Sequence, residues 1–267
     1  GGTNYTITGV SGLLSVPYAL HTRYASDFYY AVSATGDTLY LGEGGWVIIP
    51  GISDANGGTN PPPPGVGSYP PGYVHCDPAN PTAVVDVTNP ITGQTWMDRN
   101  LGASRAATSY DDAEAYGDWY QWGRFADGHQ CRDSDTTSTN ATTAVPNGGN
   151  AWDGKFILYD WLTPKNDNLW QGVNGINNPC PAGYRLPTES ELDAERQSWV
   201  SNNRAGAFAS PLRLPVSGYR FYSSGGPFYV GKNGYCWSSS VSGSDARYLN
   251  YYSSNADMFS NNRANGR

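Results

Sequence analysis

Charge is scarce in this 267-residue chain: only 15% of its residues are Asp, Glu, Lys or Arg. The 16 Lys and Arg are scattered and outnumbered by 23 Asp and Glu, which leaves a net charge of −7. No basic stripe exists to neutralise phosphates, so nucleic acid is excluded as a partner. No apolar run approaches the roughly 18 residues that a membrane helix needs, so no direct membrane span is expected. The four cysteines, Cys76, Cys131, Cys180 and Cys236, never form a Cys-x-x-Cys pair, which argues against zinc ribbons and thioredoxin-type redox chemistry. The chain also lacks Gly-x-Ser-x-Gly and His-Glu-x-x-His motifs. His21, His75 and His129 stand near no nucleophile motif, and His129 reads as part of a turn in Asp127-Gly128-His129-Gln130. No catalytic residue is assigned, and the chain is expected not to be an enzyme.

Aromatic residues, Gly, Ser, Asn and Thr are plentiful. At 13% aromatic, the chain can bury enough surface to fold, because each buried aromatic contributes roughly 1.5–3 kcal/mol. Twenty tyrosines among many glycines describe a loop-rich, β-rich extracellular or cell-surface protein. Widely spaced cysteines suit one or two disulfides in an oxidising compartment, with three complete pairings open.

A Pro/Gly-rich stretch over 57–72 divides the chain. It favours polyproline II at about 3.1 Å per residue and reads as a semi-rigid linker. Ahead of it, residues 1–56 form a small β-rich segment. Strand-like pieces occur at Phe28–Val32, Thr38–Leu41 and Trp46–Ile49, the last two joined as a hairpin through Gly42–Gly45. So short a segment buries little alone, and Trp46, Val47, Ile48 and Ile49 form a candidate assembly edge.

Two helix starts stand out in the C-terminal domain, 73–267. Thr188-Glu189-Ser190-Glu191 is a capping box opening a helix toward Trp199, and Ser109-Tyr110-Asp111-Asp112 predicts a second helix running toward Trp122. Capping and complementarity to the helix dipole explain Glu189 and Glu191 more simply than paired catalytic carboxylates do. After residue 210 short strands punctuated by glycine are expected at Leu212–Val216, Tyr219–Tyr222, Pro227–Val230, Tyr235–Ser239, Arg247–Tyr252 and Asp257–Ser260. Helices followed by crowded antiparallel strands make the fold class α+β.

Several phrases occur in order: Trp96-Met97-Asp98-Arg99-Asn100-Leu101-Gly102-Ala103, Tyr120-Gln121-Trp122-Gly123-Arg124, Asn178-Pro179-Cys180-Pro181-Ala182-Gly183-Tyr184-Arg185-Leu186-Pro187-Thr188, Leu214-Pro215-Val216-Ser217-Gly218-Tyr219-Arg220, Gly234-Tyr235-Cys236-Trp237-Ser238-Ser239 and Asn262-Arg263-Ala264-Asn265-Gly266-Arg267. Over residues 83–267 they resemble the Fibrobacter succinogenes major paralogous domain, a family of secreted Bacteroidetes-type surface proteins. The resemblance implies a C-type-lectin-like domain with two helices and a twisted antiparallel sheet. Similar domains continue past the Asn-Gly-Arg with a cysteine-bearing strand. They often carry an aromatic residue where Cys236 stands, so a Cys131–Cys236 pairing would be a local invention.

The calcium-lectin tripeptides Glu-Pro-Asn, Gln-Pro-Asp and Trp-Asn-Asp are absent. Asp133-Ser134-Asp135 begins like a calcium loop but fails an EF-hand at its sixth and twelfth positions, Ser138 and Ala144. No cofactor and no metal site is therefore assigned, a structural calcium being the weakly supported exception. In the lectin-like fold the C-terminal region would supply the exposed face. The candidate ligand-binding face is Tyr219, Tyr222, Tyr229, Tyr248, Asn250, Tyr251, Tyr252 and Asn255, with Tyr248, Tyr251 and Tyr252 expected to include exposed rings. The expected role is adhesion or ligand display toward a host or microbial surface protein or glycan. The alternative is a structural subunit of an extracellular filament or fibre, assembled from copies of the chain through its N-terminal segment.

Overall fold

A computed structural model describes residues 31–32, 38–41, 45–48 and 68–267. The chain divides into two compact units, Gly1–Pro63 and Pro64–Arg267. In the first, β1 (Ala31–Val32), β2 (Thr38–Leu41) and β3 (Gly45–Ile48) form an antiparallel sheet in the order β1-β2-β3. Leu39 pairs with Val47 and Tyr40 with Trp46, which is the expected hairpin. Ile49, Phe28–Tyr30, His21 and most of the Pro-rich stretch lie outside the described residues. The expected linker ends earlier than Gly72. Ser68 accepts from Ala182 N at 2.8 Å and the Tyr69 ring meets Tyr73 at 4.4 Å, so both belong to the second unit.

The second unit mixes two short helices with small, mostly antiparallel sheets. Its largest sheet joins β10 (Gly234–Ser242), β11 (Asp245–Tyr251) and β12 (Ala256–Asn262) in sequence order. Central β11 is buried on both faces, so the two-residue period sends its side chains into two cores. Leu249 and Tyr251 join Leu192, Trp199 and Val216, while Ala246 and Tyr248 join Tyr120, Trp122, Trp170 and Trp237.

The helix α1 (Glu189–Gln197) starts as its sequence dictates. Thr188 Oγ1 accepts from Glu191 N at 3.3 Å, and Thr188 N donates back to the Glu191 carboxylate at 2.8 Å. The Arg185 guanidinium bonded to that carboxylate, with further donation from Thr188, lowers the Glu191 pKa to about 2. Leu192 and Glu195 form the buried side of α1, where Glu195 accepts from Asn89 at 2.6 Å and from Trp199 Nε1 at 3.1 Å.

The helix expected from Ser109 does not form. Only a single turn of 3-10 helix occurs, at Ala113–Ala115. The Asp112 carboxylate accepts from Thr108 N, Thr108 Oγ1 and Glu114 N, local bonds that compete with helix propagation. Gly117 then turns at φ +68°, where a Cβ would lie 2.3 Å from Leu101 O. Beyond it the chain is extended, Tyr120 N donating to Arg267 O at 2.9 Å and Trp122 N to Arg263 O at 2.8 Å. The second helix is instead α2 (Arg204–Ala209), capped by the Asn203 side chain. Residues Leu212–Val216 are irregular rather than a strand, with Arg213 at φ +48°.

Smaller ladders complete the unit. They pair β4 (Asp86–Thr88) with β5 (Thr95–Met97), β6 (Thr136–Thr137) with β7 (Phe156–Ile157), and β8 (Tyr219–Arg220) with β9 (Pro227–Phe228). Cys76 and Cys131 form a disulfide, whereas Cys180 and Cys236 are free thiols. The Cys131–Cys236 pairing is therefore excluded; Cys236 Sγ lies 3.9 Å from the Tyr251 hydroxyl.

Candidate functional site

Among the described residues, the segment from Ser217 to Asn233 builds an exposed aromatic surface. Its base is closed by Gly218 N donating to Asn233 O and Gly231 N donating to Val216 O, each at 2.9 Å. Gly218 is required there: at φ +67°, a Cβ would fall 2.6 Å from Phe228 O. Strands β8 and β9 then set Tyr219 opposite Phe228. Their rings stack at 5.8 Å, and Tyr229 stacks on Tyr219 at 6.3 Å. Phe221 extends the row, 5.2 Å from Phe228 and 4.9 Å from Tyr222.

Tyr229 is the outermost member. It is 53% exposed and held at φ +56°, a left-handed conformation that costs a non-glycine residue about 1–2 kcal/mol. Two amides, Lys232 N and Asn233 N, donate to its carbonyl and hold that turn. Phe228 and Val230 on either side are also exposed. A second exposed tyrosine, Tyr159, shares the left-handed backbone at φ +69°, and its amide donates to Tyr222 O at 2.8 Å. Residues held in left-handed backbone persist only where the surrounding structure fixes them.

Beneath this surface the aromatic row continues inward. Tyr219 meets Tyr235 at 4.8 Å, Tyr235 meets Tyr248 at 6.1 Å, and Tyr248 meets Trp237 at 5.7 Å. The Arg267 guanidinium lies within 3.6–5.1 Å of the centroids of Tyr248, Trp237, Tyr235 and Tyr219. Burial lowers the pKa of this guanidinium and the surrounding tyrosines counter it. Arg267 braces the row from inside through cation–π contacts.

The structure divides the candidate face. Tyr219, Tyr222 and Tyr229 come together at the surface. Tyr248, Asn250 and Tyr251 do not: all three are buried. The strand period turns Tyr248 onto Arg267, while Asn250 Nδ2 donates to Gly234 O and the Tyr251 hydroxyl donates to Pro215 O. The Tyr251 ring covers Gly234 so closely that a Cβ there would lie 1.9 Å away. Tyr252 and Asn255 are half-buried at the β11–β12 turn, where Asn202 bonds Asn255 and Arg204 N donates to Tyr252 O. Of Tyr248, Tyr251 and Tyr252, only Tyr252 reaches solvent.

His129, read as a turn residue, is fully buried. Gln121 N donates to its Nε2 at 3.1 Å, which leaves Nδ1–H to donate to Asp127 at 2.6 Å. Burial and the nearby Arg124 lower the His129 pKa to about 4. Burial alone would raise the Asp127 pKa, but His129 and Arg124 hold it well below the carboxylate range. Arg124 bridges Asp127 and Gln121 at 2.7 and 2.9 Å, and Gln121 Nε2 ties in Ile157 O and Ala264 O. With Nε2 occupied by a backbone amide, this Asp–His pair is a structural clasp with no free base. The polar positions 121, 124, 127 and 129 among tryptophans were its one visible sign in the sequence.

Glu189 and Glu191 are likewise engaged, by Arg247 and Arg185. At the Asp133–Asp135 segment, Arg220 Nη1 and Nη2 bond Ser134 Oγ and Ser134 O, both at 2.6 Å. Among the described residues no three His, Cys, Asp or Glu side chains converge as metal ligands, and no helix is long and apolar enough to cross a membrane. No family model, no curated protein and no solved structure matches the chain.

Proposed function

We propose that the chain is a non-catalytic extracellular or cell-surface module that binds a protein or glycan ligand through the Tyr219–Val230 aromatic surface. The observation that carries this reading is Tyr229, an exposed tyrosine held in left-handed backbone and stacked on Tyr219. A tyrosine offers rigid, amphipathic contact area at low entropic cost, suited both to protein surfaces and to the apolar face of a sugar ring. Neighbouring Ser223, Ser224 and Asn233 supply adaptable hydrogen bonds beside the rings.

The resemblance to the major paralogous domain family agrees with this role, and a C-type-lectin-like arrangement is the proposed architecture. In its favour are one helix, α1, packed on an antiparallel sheet, a disulfide near the start of the domain, and ligand-facing loops after the helices. A filament or fibre subunit is the second reading. It draws on the position of β3 at the edge of its sheet among the described residues, where Trp46, Val47 and Ile48 would pair with a second copy.

The test is binding of the intact chain to glycan and surface-protein arrays, repeated with Tyr229→Gly. Ligands retained by the natural chain and lost by the variant support the aromatic surface; ligands retained equally by both overturn it.

A further inference from the structure

Asparagine is among the thermolabile residues, and glycine after it makes it more so. With no Cβ in the way, the glycine nitrogen can reach the side-chain carbonyl carbon of the asparagine and close a cyclic imide. The chain carries five Asn-Gly pairs, and four lie within the described residues: Asn147-Gly148, Asn174-Gly175, Asn233-Gly234 and Asn265-Gly266. Ring closure makes two demands on the fold. The glycine nitrogen must be free of hydrogen bonds, and the backbone around it must have room to turn.

Three of the pairs fail a demand. Asn265 is fully buried, its Oδ1 accepts from Tyr222 N at 3.1 Å, and Gly266 N donates to Arg220 O at 2.9 Å. Asn233 N and O are both bonded, and the Tyr251 ring lies on Gly234 so closely that nothing there can turn. Asn174 is exposed, but Gly175 N donates to Gly172 O at 3.3 Å, and a Cβ on Gly175 would lie 3.0 Å from Gln171 N and Leu169 O. Asn147 meets both demands. It is exposed, Gly148 N has no hydrogen-bond partner among the described residues, and a Cβ on Gly148 would meet nothing within 4 Å. Its one side-chain bond favours the reaction: Oδ1 accepts from Gly149 N at 2.9 Å. Attack at Cγ turns Oδ1 into an oxyanion, and a donor already aimed at that oxygen stabilises the charge as it develops.

We propose that Asn147 is a site of spontaneous covalent modification, converting through a succinimide to isoaspartate and aspartate. Gly148 N gives its proton to solvent base and bonds to Asn147 Cγ, while the Cγ–Nδ2 bond breaks and Nδ2 leaves as ammonia. Water then opens the imide. Hydrolysis at Cγ yields aspartate in a normal backbone, and hydrolysis at the α-carbonyl leaves Gly148 joined through Cγ, which is isoaspartate. Water is the only co-reactant. Pro146 and Gly148 on either side line an open cavity of about 430 Å³ together with Asp127 and Asp153. The new carboxylate therefore adds negative charge at its rim, and isoaspartate lengthens the main chain there by one methylene. Nothing in this step depends on ligand binding at Tyr229, so either reading can fail without the other.

The intact folded chain is incubated near neutral pH, and conversion at each of the four pairs is followed by peptide mapping with mass spectrometry. Digestion in heavy-oxygen water marks any conversion that happens during work-up. Asn147 should convert at least about tenfold faster than Asn174, Asn233 or Asn265, the rate factor that one hydrogen bond of ordinary strength confers. Isoaspartate should exceed aspartate, as imide opening requires and direct hydrolysis of the amide does not. In the denatured chain the four rates should converge. Gly148→Ala should slow conversion at Asn147, because a Cβ shields the attacking nitrogen and resists φ +77°. If that variant does not fold, the four sites of the natural chain still decide the matter. Conversion at Asn174, Asn233 or Asn265 as fast as at Asn147 overturns the proposal, as does a product that is aspartate alone.

Discussion

The guanidinium of Arg267 sits 3.6 Å from the centroid of the Tyr248 ring, deep beneath the surface that Tyr229 crowns. This contact links the two halves of the candidate site. Tyr248 lies on β11, whose alternation faces it inward, and its ring meets Tyr235, which in turn meets Tyr219. The exposed rings therefore rest on a cation–π support rather than on aliphatic packing.

Arg267→Met should lower unfolding free energy by about 2–4 kcal/mol, because desolvated cation–π contacts with four rings are lost while the aliphatic stem is kept. Chemical denaturation measures this directly. Arg267→Lys should not restore stability, since an ammonium cannot spread over several ring faces as a planar guanidinium does.

Tyr229→Gly separates binding from folding. Glycine accepts φ +56° without strain, which offsets its entropic cost and the loss of a half-exposed ring. The thermal midpoint should change little while ligand binding falls. A large loss of stability would mark Tyr229 as a packing residue.

Two buried groups give the chain opposing pH responses. The His129 pKa is lowered to about 4, so above pH 6.5 the ring is neutral in both states. As pH falls from 6.5 toward 4 the unfolded chain takes up a proton that the native state refuses, and stability is lost across that window. Burial raises the Asp118 pKa to about 7, with Arg132 countering only part of the shift. Its stabilising contribution is full below about pH 4 and is lost as pH rises through 7. The two trends offset each other between pH 4 and 6.5. In Asp118→Asn stability should rise with pH through that window, and above pH 7 the variant should exceed the natural chain by a few kcal/mol. Denaturation midpoints at pH 4, 6 and 8 check both signs.

The disulfide closes a loop across 55 residues, between Cys76 and Cys131. On chain-entropy grounds, Cys76→Ser should cost up to about 4 kcal/mol. Thiol titration of the unfolded, unreduced chain should report two free thiols, Cys180 and Cys236.

Local chemistry was legible in the sequence wherever neighbours in the chain decide the structure. Thr188 and Glu191 lie three residues apart, and both halves of their capping box formed. The strands after Tyr219 were found through their glycines and aromatic residues. The helix expected from Ser109 failed because Asp112 spends its carboxylate on nearby backbone, and because extended residues from Tyr120 find partners 141 to 147 positions away, at Arg263 to Arg267. The same limit applied to the candidate face. Tyrosine count alone cannot tell Tyr229, on a turn just past β9, from Tyr251, on a strand buried on both faces. The clasp of Gln121, Arg124, Asp127 and His129 depends on Ile157 and Ala264 for its remaining partners, so no local pattern defines it.

The most direct measurement is ligand-array binding by the intact chain beside Tyr229→Gly and Phe228→Ser, with thermal midpoints recorded on the same preparations. A ligand-display surface at Tyr219–Val230 requires that both variants keep their fold and lose the natural chain's ligands by at least about tenfold, as for hot-spot aromatic residues. Unchanged binding by both folded variants would contradict it.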